Sequence, residues 1–327
     1  MQDDQRLIKL KRWLHNDLGI HFDHIAPASS DASFRRYFRI QHEGKSLIVM
    51  DAPPEKEDCG PFIKISNAMA AMKLNVPRVL QQDLKQGYLL LTDLGNVQYL
   101  EKLNATTAGR LYRDALEALL LLQSSSEVPH TLPQYDHALL MQEMELVREW
   151  YFKQQLAINF DATQHAVLDQ TFGLLAQSAL AQPRTWVHRD YHSRNLMVVE
   201  NNNPGVLDFQ DALFGPITYD LASLLKDCYI EWPRAQVLAW VEGYYRRLVE
   251  KEVINEVGTA QFIKWFELMA VQRHLKAIGI FSRLNIRDHK PGYLNDIPRT
   301  LNYVRDTCRR YPELKPLGAL LSSIEAR

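Results

Sequence analysis

The sequence predicts an α+β fold in two lobes, a small β-rich N-lobe at residues 1–95 and a larger helical C-lobe at 96–327. Three observations predict it. At 327 residues the chain is longer than one hydrophobic core usually serves. Short apolar runs bounded by turn formers occupy the first ninety-odd residues. After Gly95 the apolar period changes to that of long helices.

In order, Leu7, Leu10, Leu14 and Leu18 recur at three- and four-residue steps before Gly19, which predicts an amphipathic helix with a glycine stop. Residues 33–40 place Phe34, Phe38 and Ile40 on one face, and 46–50 and 88–91 are short apolar runs, so three strands are expected. A helix over 62–74 should end before Val76-Pro77, and the extended segment 92–96 should mark the lobe boundary. Long helices follow at about 106–123, 139–156, 164–180, 235–249 and 261–281. Only 185–209 interrupts them, with Trp186-Val187 and Val206-Leu207 as strand-like pieces of one embedded hairpin.

Composition sets limits on partners and compartment. A formal net charge of -1 gives no broad attraction to nucleic acid or to an anionic membrane, so neither is expected as a partner. Cys59, Cys228 and Cys308 are odd in number and far apart, with no CxxC pair for zinc or redox exchange. The start has no apolar core of a signal peptide, and the leucine run 119–122 is too short to span a bilayer. A reduced, cytoplasmic chain is the expectation; oligomeric state is not legible.

The segment that carries chemistry is His188-Arg189-Asp190-Tyr191-His192-Ser193-Arg194-Asn195, followed by Val206-Leu207-Asp208-Phe209-Gln210. Phosphoryl transfer has a loose transition state, so it needs a carboxylate to orient the attacking hydroxyl and metal ligands to hold the triphosphate. The five-residue gap from Asp190 to Asn195 and the thirteen-residue gap from Asn195 to Asp208 match the catalytic-loop and metal-aspartate spacing of kinases. On that spacing Asp190 accepts the hydroxyl proton, and Asn195 and Asp208 supply the oxygen ligands that Mg2+ prefers. Loop-capping Asp and Asn residues are the commoner explanation of any one position, but four constrained positions between strand patterns outweigh it. A β-rich lobe followed by a helical lobe with these motifs is the layout of a protein-kinase-like fold.

The HxDxxxxN loop with His192 two residues past the aspartate, the LDFQ segment, and Gly215-Pro216-Ile217-Thr218-Tyr219-Asp220-Leu221-Ala222 resemble the aminoglycoside phosphotransferase and choline kinase superfamily. Protein kinases carry DFG and APE instead, and this chain has neither. The segments SFRRYFR at 33–39, VMDAPPE at 49–55, LLLTDLG at 89–95 and QRHLKAIGIF at 272–281 narrow the resemblance to one branch. Its members phosphorylate the anomeric (C1) hydroxyl of N-acetylmuramate and N-acetylglucosamine in peptidoglycan recycling. The resemblance spans roughly 28–300 and implies ATP and Mg2+ as cofactors and an amino sugar as substrate. It also implies that Thr92, Asp93 and Leu94 form the hinge whose backbone meets adenine. His188 and His192 are then supporting residues. Asp220 reads as a support of the loop from the following helix, although a helix N-terminal acid would look the same in sequence.

Two departures from the pattern bear on the phosphate site. The covering loop, with Ser29, Ser30 and Ser33, has small residues but no glycine. The strand position of the phosphate-pairing lysine falls on Met50, and 62–74 offers no glutamate to pair with it. Arg35 or Arg36 could supply the charge, or could simply be a solvated strand face. Arg273, His274 and Lys276 put cations on one helix, either as ordinary surface or as a site for a sugar carboxylate. The alternatives are a phosphotransferase for another small alcohol (an aminoglycoside, homoserine or a choline-like compound) and a non-catalytic pseudokinase.

Overall fold

In the computed structural model, residues 4–29, 34–125 and 132–325 are described. The chain divides into two compact units, Met1–Ala118 with Arg194–Asp211, and Leu119–Ser193 with Ala212–Arg327. No helix among the described residues is long and apolar enough to cross a membrane. Cys59, Cys228 and Cys308 are all buried and free.

The first unit is built on a five-stranded antiparallel sheet of β1 (Ile25–Ser29), β2 (Arg36–His42), β3 (Lys45–Asp51), β4 (Val79–Asp83) and β5 (Tyr88–Thr92), in the order β1-β2-β3-β5-β4. Helix α1 (Gln5–Arg12), capped by the Asp4 side chain and continued by a π-helical turn over Trp13–Asp17, covers one face. Its stripe of Leu10, Trp13 and Leu14 closes a core with Phe38, Ile40, Val49, Tyr88 and Leu90. Because side chains alternate along a strand, Tyr37, Arg39, Ile48 and Leu91 face the other way. Gly19 ends the helical segment at φ +64, as its position predicts.

Helix α2 (Cys59–Ala71) starts three residues earlier than the apolar pattern suggests, because Asp58 accepts Gly60 N and caps it. The edge strands β1 and β4 have too few apolar residues to stand out in sequence. Short α3 (Tyr99–Lys102) and then α4 (Ala108–Gln123) follow.

The expectation of one hairpin from Trp186-Val187 and Val206-Leu207 is corrected. Strand β6 (Arg184–Val187) pairs with β9 (Leu213–Pro216), Trp186 opposite Phe214, in the second unit. Strands β7 (Leu196–Met197) and β8 (Gly205–Val206) form their own ladder in the first. The interior of β6 is wholly buried, and β9 offers it a full four-residue partner where 206–207 would offer two.

The second unit is otherwise helical: α5 (His137–Leu146), α6 (Ala162–Leu180), α7 (Tyr219–Leu225), α8 (Arg234–Glu250), α9 (Thr259–Asp288), α10 (Ile297–Arg310) and α11 (Lys315–Glu325). Helix α9 is its axis, with seventeen buried residues along thirty. The expected helix over 139–156 is regular only to Leu146 and then widens to a π-helix over Val147–Gln155. That change falls where Gly279 of α9 comes closest, since a Cβ there would lie 2.3 Å from the carbonyl carbon of Leu146.

Candidate active site

In the first unit the sheet face opposite α1 lines a pocket of about 210 Å3. Tyr37, Arg39, Ile48 and Leu91 form one wall, Thr92, Asp93, Leu94 and Gly95 the next, and Asn195, Met197, Leu207, Asp208 and Phe209 a third. All three residues expected at the hinge are therefore on the pocket. The side chain of Asp93 is committed elsewhere, accepting from Arg39 Nε (2.6 Å), Ser46 Oγ (2.5 Å) and Gly95 N (2.9 Å). Burial opposes its charge, but Arg39, Ser46 and the Gly95 amide together hold the carboxyl below the ordinary carboxylate range. Thr92 Oγ1 accepts Arg78 N. What this segment offers a ligand is therefore its backbone.

Asn195 and Asp208 stand together, with Asn195 Nδ2 3.4 Å from Asp208 Oδ2, and Asp208 Oδ1 accepts Gln210 Nε2 at 2.6 Å. Asp208 sits at φ +63, a left-handed conformation that a non-glycine residue adopts only when its surroundings impose it. A carboxylate and an amide oxygen are hard donors that suit Mg2+, which usually takes one or two protein oxygens and completes its shell with phosphate and water. Among the described residues no three or more His, Cys, Asp or Glu cluster as a metal cage.

The two candidate arginines part company. Arg36 is turned to the covered face, where it donates to Asp51 through Nε at 3.0 Å and is also paired with Asp4, so it is not brought to the pocket. The reason is the strand period, which puts Arg36 opposite Asp51 in the β2-β3 register. Arg35 pairs with Glu57 at 2.9 Å and lies within the electrostatic reach of Asp208 and Asp211. Met50 is fully buried on the same sheet face as Ile48. Ser30 and Ser33 lie outside the described residues, and Ser29 ends β1.

In the second unit Asp190 lies on a cavity with His192, Asp227, Cys228, Tyr229, Arg273 and Lys276. Its side chain is 39% exposed, and Arg273 Nη2 is 3.9 Å from Oδ1. Burial works against the charge, but Lys276, His192 and Arg273 outweigh it and hold the carboxyl down at about 2. The loop backbone is fixed by Asp220, in the first turn of α7, whose Oδ2 accepts His188 N at 2.6 Å and Oδ1 accepts Arg189 N at 3.0 Å. Complete burial pushes Asp220 up to about 7 in spite of those amides. Arg189 takes φ +82 and sends its guanidinium to Glu143 Oε1. Lys276 Nζ reaches the same oxygen at 3.0 Å and Tyr219 OH at 3.0 Å. His192 meets Tyr229 edge-on at 5.3 Å.

Of the three cations predicted on α9, Arg273 and Lys276 share the Asp190 cavity and His274 does not. A residue one step along a helix turns about 100°, so His274 faces α10, stacked on Tyr303 at 4.9 Å with Nε2 2.8 Å from Lys226 O. Burial pushes its imidazole down to about 3, so it stays neutral. Sequence reading missed Glu143 and Asp227. Glu143 is buried in α5 whereas Glu145, two residues on, is not, and nothing in the local pattern separates the two.

Residues 24–253 match the Phosphotransferase enzyme family, APH. A protein of Pseudomonas aeruginosa named N-acetylmuramate/N-acetylglucosamine kinase is 45% identical, covering 99% of this chain and 98% of its own. One of that name from Neisseria meningitidis is 42% identical, covering 97% and 95%. Among solved structures, the GDP complex of aminoglycoside 2'-phosphotransferase-IIIa superposes with a TM-score of 0.64 at 14% identity, covering 91% of this chain and 99% of that one, a likeness of fold. With the family match spanning most of the chain and both relatives aligned nearly end to end, the chain belongs to the phosphotransferase enzyme family.

Proposed function

We propose that the chain transfers the γ-phosphoryl group of ATP to the C1 hydroxyl of N-acetylmuramate or N-acetylglucosamine, in the cytoplasm, as a step of peptidoglycan recycling. The observation that carries this reading is the 45% identity over 99% of the chain to a kinase named for those two sugars. The GDP bound by the structural neighbour supports a nucleotide donor of the same chemical class.

Each residue then has one task. The backbone of Thr92, Asp93 and Leu94 meets the adenine edge, and Ile48, Leu91 and Leu207 enclose its faces. Asn195 and Asp208 hold Mg2+, which when bound neutralises phosphate charge. Arg35 supplies the positive charge that a strand lysine gives elsewhere, since Met50 cannot. The acceptor oxygen forms a bond to the γ-phosphorus as the bond to the β-bridging oxygen breaks. ADP leaves, and the hydroxyl proton passes to Asp190. A base held near 2 is a weak one, and the hemiacetal hydroxyl at C1 is the most acidic on the sugar.

Phosphorus NMR of the product tests the reading, because a glycosyl phosphate couples to the anomeric proton and a 6-phosphate does not. The methyl glycoside, which has no free C1 hydroxyl, should be inert. A 6-phosphate product would remove the regiochemistry, and preferred turnover of an aminoglycoside would remove the substrate class.

A further inference from the structure

Arg273 is a buried guanidinium with no hydrogen-bond acceptor among the described residues. Its side chain is 8% exposed, on the cavity that also holds Asp190. Its Nε is buried with no hydrogen-bond partner among the described residues. The 3.9 Å from Nη2 to Asp190 Oδ1 is an ion-pair distance but too long for a hydrogen bond. Its other close neighbour is the face of Tyr219, 5.5 Å from the ring centroid, which attracts the charge and accepts no N–H. Asp227, the second acid on the cavity, already accepts Ser193 N at 2.9 Å and Tyr229 N at 3.0 Å. Lys276, one turn on, is by contrast fully engaged with Glu143 and Tyr219.

An Nε–H buried without an acceptor, on a guanidinium that meets Asp190 only at 3.9 Å, costs free energy that a ligand bearing matching oxygens would recover. The best match to the guanidinium fork is a carboxylate held through two parallel bonds. A hydroxyl or amide oxygen could take one donor but could not match the fork with two parallel bonds.

We propose that Arg273 is the residue by which this chain recognises a carboxylate on the acceptor, so that the site is built for a carboxylate-bearing amino sugar and takes the neutral sugar as a lesser substrate. The proposal rests on the amino-sugar reading above. Arg273 acts in binding the acceptor, while the proton of the attacking hydroxyl still passes to Asp190.

The test compares N-acetylmuramate, its neutral lactyl carboxamide and N-acetylglucosamine as acceptors, with Arg273→Met and Arg273→Lys beside the wild type. The wild type should favour the acid over the carboxamide at least about tenfold in kcat/KM, as expected for one charge-assisted pair. Arg273→Met should raise KM for the acid by at least about tenfold, hold KM for N-acetylglucosamine and for ATP within about threefold, and erase the preference for acid over amide. Arg273→Lys should recover part of that preference. Equal losses on all three acceptors, or a rise confined to the KM of ATP, would assign Arg273 to Asp190 or to the nucleotide and overturn the proposal. So would a wild type indifferent to acid and amide, a comparison that stands even if the Met variant misfolds. Turnover of N-acetylglucosamine with no carboxylate preference sinks this proposal alone, whereas turnover of none of the three sugars sinks the amino-sugar reading as well.

Discussion

Asp190 and Asp208 should fail in different ways when altered, because they meet different atoms. On the roles proposed above, Asp190→Asn removes the proton acceptor and leaves the pocket of the first unit untouched, so kcat should fall by roughly 10²–10⁴-fold with the dissociation constant for ATP unchanged in calorimetry. Asp208→Asn removes the anionic member of the Asn195–Asp208 pair, and turnover should drop to background at any Mg2+ concentration. Near-normal rates with ordinary Mg2+ dependence would take Asp208 out of the mechanism. Asp220 gives a prediction in stability. Burial raises it from an ordinary 3.8 to about 7, so the folded chain keeps a proton there that the unfolded chain releases above about pH 4. Its contribution is therefore most favourable below 3.8 and is lost as pH climbs through the window to 7. Asp220→Asn should flatten that decline, measured as urea midpoints from pH 4 to 8, and an unaltered slope would show that Asp220 does not titrate in the window. Spacing alone pointed to Asn195 and Asp208 as a pair, and their side chains adjoin. Arg35 and Arg36 were not separable until the β2-β3 register set Arg36 opposite Asp51 and the Arg35 guanidinium was found on Glu57, and His274 was not separable from Arg273 until the helix was oriented.

Among elements, the amphipathic ones were legible and the edge or polar ones were not. Helix α1 announces itself through a leucine stripe, and β5 through an apolar run with a single-residue boundary. Strand β4, whose middle reads Leu80-Gln81-Gln82, has no such run, because only one of its sides meets another strand. The ladder of β6 with β9 joins residues about thirty apart, and no local pattern reports a partner at that distance. Helix α9 brings the sharpest element-scale prediction. At Gly279 an added Cβ would lie 2.3 Å from Leu146 C and 2.5 Å from Val147 N, both backbone atoms that cannot rotate away. Gly279→Ala should force α9 off the α5 turn and cost about 1–3 kcal/mol or more. Because Arg273 and Lys276 ride on the same helix, KM for the sugar should rise with it. A thermal midpoint equal to the wild type would show that the helices have slack.

At the scale of the whole molecule, the change from short strands to long helices after Gly95 was legible, and with it the class of fold. The return of 194–211 to the first unit was not, since nothing in its composition distinguishes it from the loop that precedes it. That segment carries Asn195, Met197, Leu207, Asp208 and Phe209, a whole wall of the pocket. A fragment ending at Ala118 should therefore bind no ATP in calorimetry, even at concentrations about a hundredfold above the dissociation constant of the full chain. Binding by the fragment would mean that the sheet and the 92–95 segment suffice.

The same path of the chain, three passages from one unit to the other at 118/119, 193/194 and 211/212, limits what a gene can do with it. No single crossover exchanges one unit and leaves the other intact. A recombinant joining the first part of this chain to the rest of a distant relative takes its sheet from one parent and its Asn195 and Asp208 from the other. Grafting a new acceptor specificity onto this chain therefore calls for two exchanged blocks that spare 194–211.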